Sequence, residues 1–270
     1  MANVIITGSS KGIGRGLAEE FIKRGHNVTI SARGRASIDS TVAELNQLDG
    51  GTASGYSCDV SRKEQIQALW NHGKTEFGSV DYWINNAGTA TAQYLSHDVP
   101  ENVVHTLVDS NVKGTVFGSQ VAINGFLEQG SGALYNMLGG SFDGKRLTPN
   151  MGVYSSTKAA DYILTRYLIE EHKNSGLMIG MISPGMLLSD NWFEEQKRMS
   201  PEQWKKMKPI LNVLCDHVET AAPWITDQVL KNQKYGRRIA WLSGKEINKR
   251  FFKAFVLRQK RDLFSQYGLA

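Results

Sequence analysis

Cysteine is scarce in this chain. Only Cys58 and Cys215 occur, and they form neither a CxxC pair nor a disulfide framework. The six histidines are scattered, without an HxxxH or HExxH spacing, which argues against a zinc site. Prolines number only six in 270 residues, and no Pro/Gly/Ser-rich linker divides the chain, so one domain over 1–270 is expected. No apolar run approaches the roughly 20 residues that span a bilayer. The opening Met1–Thr7 segment lacks a basic region followed by an apolar one. It reads as a strand, not a leader, and a reducing, cytoplasmic setting is the expectation.

The chain is not poor in core material. Hydrophobic residues make up 41% and charged residues 21%, the ordinary globular mix, which excludes a disordered chain. The net charge of +5 is unevenly placed. Residues 231–270 hold eleven Lys/Arg against two Asp/Glu, so the preceding 230 residues are net acidic.

Strand and helix patterns alternate along most of the length. Val4–Thr7 is a β-branched run ending at Gly8, and Ile13, Leu17, Phe21 and Ile22 follow with helical spacing up to Gly25. Further strands are expected at 27–32, 53–58, 80–84, 133–137, 177–182 and 237–242. Helices are expected at 37–48 with Ser37 as N-cap, at 61–77 with a Ser61/Glu64 capping box, and at 101–127, 154–173 and 216–230. The stretch 185–210 lacks strand character and reads as a lid. Such alternation implies a parallel sheet with helices on both faces, an α/β doubly wound fold. Ligands of that fold bind at the carboxyl ends of its strands.

The residues at those ends are informative. Thr7-Gly8-Ser9-Ser10-Lys11-Gly12-Ile13-Gly14 joins the first strand to the first helix. Glycines there let the backbone approach a pyrophosphate, and the helix N-terminus offers free N–H groups and partial positive charge. The second strand ends Ala32-Arg33-Gly34-Arg35, with no acid for a ribose 2′-hydroxyl and two cations nearby. With Lys11 in the loop, this favours NADP(H) over NAD(H), although solvated loop charges would look the same.

Tyr154-Ser155-Ser156-Thr157-Lys158 places a phenol and an ammonium one helical turn apart. A free tyrosine, with a pKa of about 10, is a poor base; a neighbouring cation favours its phenolate. Taken alone, YxxxK also describes an amphipathic surface pair. It is accompanied here by Asp59-Val60, Asn85-Asn86-Ala87-Gly88, Asn111, Ser141 and Pro184-Gly185, each near a strand end or in the long helix.

In order and spacing, TGSSKGIG (7–14), DV (59–60), NNAG (85–88), Asn111, Ser141, YSSTK (154–158) and PG (184–185) resemble the short-chain dehydrogenase/reductase family over about residues 3–190. The resemblance implies a Rossmann-like fold and hydride transfer with a nicotinamide cofactor. It makes Tyr154 the general acid/base, with Lys158 lowering its pKa and holding the nicotinamide ribose. Ser141 would bond the substrate oxygen and Asn111 would order a water. Asp59 and Val60 would meet the adenine, Asn85, Ala87 and Gly88 would line the cleft, and Pro184, Gly185 and Ser189 would complete it. Three departures from the family pattern stand out. Ser141 matches only if about two residues are inserted before it, Ser189 stands where threonine is usual, and the last strand lacks its usual glycines.

Residues 245–270 form a basic, aromatic extension. Ile247, Phe251, Phe255 and Arg258 keep helical spacing among Lys245, Lys249, Arg250, Lys253, Lys260 and Arg261. Packing on the domain or on a second subunit is the leading expectation. Contact with an anionic membrane surface is the next, and nucleic acid is not expected. Phe142, Leu147, Met151, Met186, Leu187, Leu188, Trp192 and Phe193 suggest an apolar pocket for a hydrophobic ketone, aldehyde or secondary alcohol. Some of them would serve equally as core. The 136–141 and 183–190 segments and the basic tail are also similar to the chlorophyll b reductase branch, which reduces a formyl group on a large macrocycle. A non-catalytic NADP-binding sensor or scaffold is the alternative class.

Overall fold

The structure is a computed structural model that describes residues 1–197, 199–259 and 261–269; Arg198 of the expected lid and Lys260 of the expected tail helix lie outside them. In chain order the first half contains β1 (Asn3–Thr7), α1 (Gly12–Lys23), β2 (Asn27–Ala32), α2 (Arg35–Leu45), β3 (Ala53–Ser57), α3 (Lys63–Phe77), β4 (Tyr82–Asn85) and α4 (Glu101–Leu107). A π-helical turn, Val108–Lys113, leads into α5 (Gly114–Gln129), β5 (Ala133–Met137), α6 (Gly152–Glu171) and β6 (Met178–Ser183). The remainder holds β7 (Met186–Leu188), α7 (Asp190–Gln196), α8 (Pro201–Leu214), β8 (Cys215–His217), α9 (Val218–Leu230), β9 (Arg238–Ala240) and α10 (Gly244–Phe251).

Seven of these strands form one parallel sheet in the order β3-β2-β1-β4-β5-β6-β9. The order reverses between β1 and β4, so the crevice beyond their carboxyl ends is the place for a ligand. The sheet strands are apolar on both sides because helices cover both faces. On one face Leu17, Ala18, Phe21 and Ile22 of α1 pack with Ala221, Ala222, Ile225 and Val229 of α9 against Val4, Ile6, Val28 and Ile30. On the other, Ile66, Leu69 and Trp70 of α3 meet Val121, Ala122 and Phe126 of α5 over Ile5, Trp83 and Leu134.

Several local expectations are corrected. Helix α2 starts two residues early, with Gly34 as its N-cap; Ser37 donates its hydroxyl to the Gly34 carbonyl instead. The Ser61/Glu64 capping box does not form, because the Ser61 hydroxyl and amide both bond Asp59 Oδ1 at 2.8 and 3.0 Å and Arg62 takes the N-cap position. The single long helix expected over 101–127 is broken by the π-helical turn. Segment 185–210 is not strandless: β7 pairs in parallel with β8, and α7 and α8 lie between them. Among the described residues no helix is long and apolar enough to cross a membrane.

The lid has its own small core. Leu188, Leu211, Cys215 and Phe264 are buried together, with Trp192, Phe193 and Trp204 against them. Phe264 stacks on Trp192 at 5.4 Å between ring centres and meets Trp204 edge-on at 5.0 Å. The tail therefore wraps back over the lid. Its expected apolar stripe packs only in part: Ile247 and Phe251 are half-buried, while Phe255 is exposed, as are the neighbouring Phe252, Val256 and Leu257. The rest of the attachment is polar. Asp216, almost fully buried, accepts from Arg261 Nη2 at 2.6 Å and from Trp241 Nε1 at 2.7 Å. Arg250 Nη1 stands 2.7 Å from its Oδ2 as an ion pair, without hydrogen-bond alignment.

Candidate active site

The glycine-rich loop builds the floor of a cleft of about 580 Å³ at the crevice. Gly8 has a φ of +65°, which glycine adopts without strain, and a Cβ there would stand 2.8 Å from Ala87 Cα. This close approach locks the β1 turn to the segment after β4. Asn86 completes the lock, donating from Nδ2 to the carbonyls of Thr7 and Gly8 at 2.8 and 3.1 Å. At Gly12 a Cβ would meet only Ser189, at 3.5 Å, so the backbone there is open to a ligand. No side chain caps α1 and no acid lies in its first turn. Its free N–H groups and positive end face the cleft uncompensated.

The cleft walls carry most of the expected cofactor residues: Gly8, Ser10, Lys11, Gly12, Ile13, Gly14, Arg33, Asp59, Val60, Ala87, Gly88 and Ser189. Thr89, Thr106 and Ser110 also line it. Ser110 escaped the sequence reading because the π-helical turn that carries it has no composition signal. Burial would raise the Asp59 pKa, but its Ser61 bonds and the Arg33 and Arg62 charges outweigh it and hold the carboxyl below its ordinary range. A carboxylate beside Val60, facing Arg33, suits a purine edge and its ribose phosphate. These features together fit a dinucleotide.

Asn85 is a correction. Its side chain turns away from the cleft, accepting from Trp83 Nε1 at 2.7 Å and donating to Asn136 Oδ1 at 2.8 Å and Ser119 Oγ at 3.2 Å. Pro184 and Gly185 also stand apart from the cleft lining; Gly185, with φ of +78°, turns the chain against Leu242 and Trp241.

The first turns of α6 bring Tyr154 and Lys158 to the ends of β4 and β5. A Cβ on Gly139 would stand 2.0 Å from the Tyr154 hydroxyl, so only glycine lets the loop after β5 pass over it. Ser141 sits two residues further on, with φ of +58°, and no hydrogen bond joins it to Tyr154 among the described residues. Lys158 Nζ donates to the Met137 carbonyl at 3.2 Å and to Asp161 Oδ2 at 3.0 Å. Asn111, fully buried at the π-helical turn, accepts from the Thr89 amide at 2.9 Å. Its Nδ2 donates to the Thr89 carbonyl at 3.0 Å and to Thr157 Oγ1 at 2.8 Å. Such a bulge re-aims one side chain inward at the cost of regular helix bonding.

One electrostatic expectation is reversed. Burial pushes the Tyr154 pKa above its ordinary value; Lys158 pulls it down, but Asp161 pushes it up again. The hydroxyl is therefore a proton donor as it stands. The expected apolar pocket also disperses: Leu187 and Leu188 are buried core, Trp192 and Phe193 pack in the lid, and Phe142 lies edge-on to Tyr162 at 5.0 Å. Leu147 and Met186 remain exposed. Both cysteines are free and buried, and burial raises each thiol to about 12, which removes them as nucleophiles. No cluster of metal-ligating side chains occurs among the described residues.

Residues 2–200 match the family model for short chain dehydrogenases. The chain belongs to that family. A probable chlorophyll(ide) b reductase of Oryza sativa subsp. japonica is 29% identical over 272 residues, 95% of this chain and 53% of that protein. A chlorophyll(ide) b reductase of Arabidopsis thaliana is 31% identical, covering 84% of this chain and 65% of its own length. The chain spans about half the length of the first of these. Glucose 1-dehydrogenase 2 of Bacillus subtilis is 28% identical over 83% of this chain and 87% of its own. Among solved structures, a 3-ketoacyl-(acyl-carrier-protein) reductase from Brucella melitensis complexed with NADH superposes with a TM-score of 0.76 at 22% identity, covering 88% of this chain and 95% of that one. That structure and this chain share the fold.

Proposed function

We propose that the protein reduces the carbonyl of a fairly hydrophobic ketone or aldehyde with NADPH, Tyr154 giving the proton. The observation that carries this reading is the Tyr154 hydroxyl under Gly139, with Lys158 one turn on beside Gly88 of the open cleft. When bound, a reduced nicotinamide supplies the hydride for the carbonyl carbon. Tyr154 Oη donates its proton to the developing alkoxide, and the Lys158 ammonium favours the phenolate left behind. The remaining N–H of Lys158 is free for a ribose hydroxyl. Ser141 and Asn111 are assigned the substrate oxygen and a bound water. The exposed Leu147 and Met186, on the segments after β5 and β6, support an apolar substrate, as do relatives whose names specify chlorophyll(ide) b.

The choice of NADPH rests on Arg33 and Lys11, both exposed at the cleft, and on the absence of an acid at Ala32. Arg33→Ser is expected to weaken NADPH binding about tenfold and leave NADH binding unchanged, as loss of one charge-assisted phosphate contact requires. Fluorescence titration with both cofactors measures this. Equal wild-type affinity for the two would reject the assignment. The reading places the enzyme in a reducing, cytoplasmic setting, which the unpaired thiols support. It also includes a second copy of the chain, seated on the exposed Ile163 and Tyr167 of α6 and Leu127 of α5. Sedimentation equilibrium is expected to give a dimer or larger; a monomer at micromolar concentration rejects that part.

A further inference from the structure

Asp161 lies one turn beyond Lys158 on α6 and is 1% exposed. A buried carboxylate is expensive unless paired. Asp161 Oδ2 takes the Lys158 Nζ proton at 3.0 Å, and Thr115 of α5 is the carboxylate's other polar neighbour. Lys158 is almost as buried, and its other bond runs to the Met137 carbonyl at the end of β5. A Cβ on Gly88 would come within 3.7 Å of the same Nζ, so the ammonium's third proton faces the cleft wall. Three directions are thereby assigned to one cation: strand end, carboxylate and cleft.

We propose that Asp161 is a positioning residue that fixes the Lys158 ammonium beside the cleft and offsets its charge at the Tyr154 hydroxyl. The inference rests on the proposed function for its meaning, but its geometry does not depend on the substrate. The charged groups acting on the Tyr154 hydroxyl are Lys158 and Asp161, both on α6. From the neighbouring elements, β5 presents the Met137 carbonyl, the π-helical turn presents Asn111 and α5 presents Thr115, all neutral. Burial raises the Asp161 pKa, and Lys158 together with Thr115 draws it back. A lone Lys158 would pull the phenol toward its anion; Asp161 offsets part of that pull.

The test is the ionisation of Tyr154 in the full chain, read as an ultraviolet phenolate titration. Subtracting the same titration on a Tyr154→Phe background isolates one tyrosine. Asp161→Asn keeps shape and an acceptor for Lys158 while removing the charge. It is expected to move the Tyr154 ionisation to lower pH by about one unit or more, as loss of a buried like charge predicts. If that variant does not fold, Asp161→Leu, which leaves no unpaired polar atom at 161, is expected to give the same shift. An unmoved or raised ionisation in either folded variant overturns the proposal. Loosening of the fold would admit water to the buried phenol and lower its ionisation too, so the shift supports the proposal only where Tm is kept, and a shift seen only with a fallen Tm overturns it. Because the readout needs no turnover, it stands apart from the activity test of Tyr154, whose failure would reject the catalytic reading alone.

Discussion

Tyr154→Phe is expected to lower NADPH-dependent carbonyl reduction by about a thousandfold, the usual scale for removing a general acid. The substitution deletes one oxygen and keeps the ring, which α6 holds beneath Gly139. The glycine cradle, Arg33 and Asp59 lie on other elements, so NADPH binding should be retained. The measurement is NADPH oxidation against aldehydes and ketones graded in size and polarity, with wild type and variant in parallel. Turnover that vanishes in the variant while cofactor titration is unchanged assigns the proton to Tyr154. Wild-type turnover that survives the substitution rejects the role. Tight NADPH binding without turnover of any carbonyl in the panel, large apolar ones included, would favour a binding protein that retains a reductase's residues.

The second large effect concerns stability. Asp216→Ala removes the buried carboxylate that holds Arg250, Arg261 and Trp241 together. Arg250 then keeps only its longer contact with Glu246 at 3.4 Å, whereas Arg261 is 37% exposed and rehydrates. Breaking a buried pair from one side destabilises by about 3 kcal/mol, the low end being appropriate because one partner is half-exposed. For a domain of this size that is a fall in Tm of roughly 8 °C. Because Trp241 follows β9 and Arg261 precedes the buried Phe264, the tail should also become sensitive to proteolysis between α10 and Phe264. A Tm within about a degree of wild type, an effect below 0.5 kcal/mol, would show that the aromatic cluster around Phe264 alone secures the tail. Asp216→Asn keeps two acceptor contacts in part and is expected to fall between the two.

Much of the fold was legible because its signals are local. Strand β2 was placed residue for residue, since Val28, Thr29 and Ile30 are β-branched or apolar between polar ends. The glycine loop was legible for a similar reason: it must turn sharply after β1 and expose helix N–H groups, and few residue types permit that. Helical periodicity puts Tyr154 and Lys158 on one face, but only the accompanying motifs and the family resemblance mark the pair as a site. Helix starts were read less well. Ser37 and Ser61 both look like caps, yet each hydroxyl found a closer acceptor, Gly34 carbonyl in one case and Asp59 in the other. Capping is a competition among nearby groups, and spacing does not rank the competitors.

The sequence by itself determined the sheet, the order of its motifs and which end of the strands carries the site, because periodicity and turn chemistry act over a few residues. Only the tertiary structure decided the rest. It turned Asn85 into the core, where Trp83 and Asn136 engage opposite ends of its amide. It packed the lid aromatics on Phe264, some seventy residues away, and left Phe252 and Phe255 in solvent. It reversed the expected Tyr154 shift, since burial and Asp161 together outweigh Lys158. In each case the outcome depends on distance, desolvation and partner choice between segments remote in sequence, and those quantities exist only once the chain has folded.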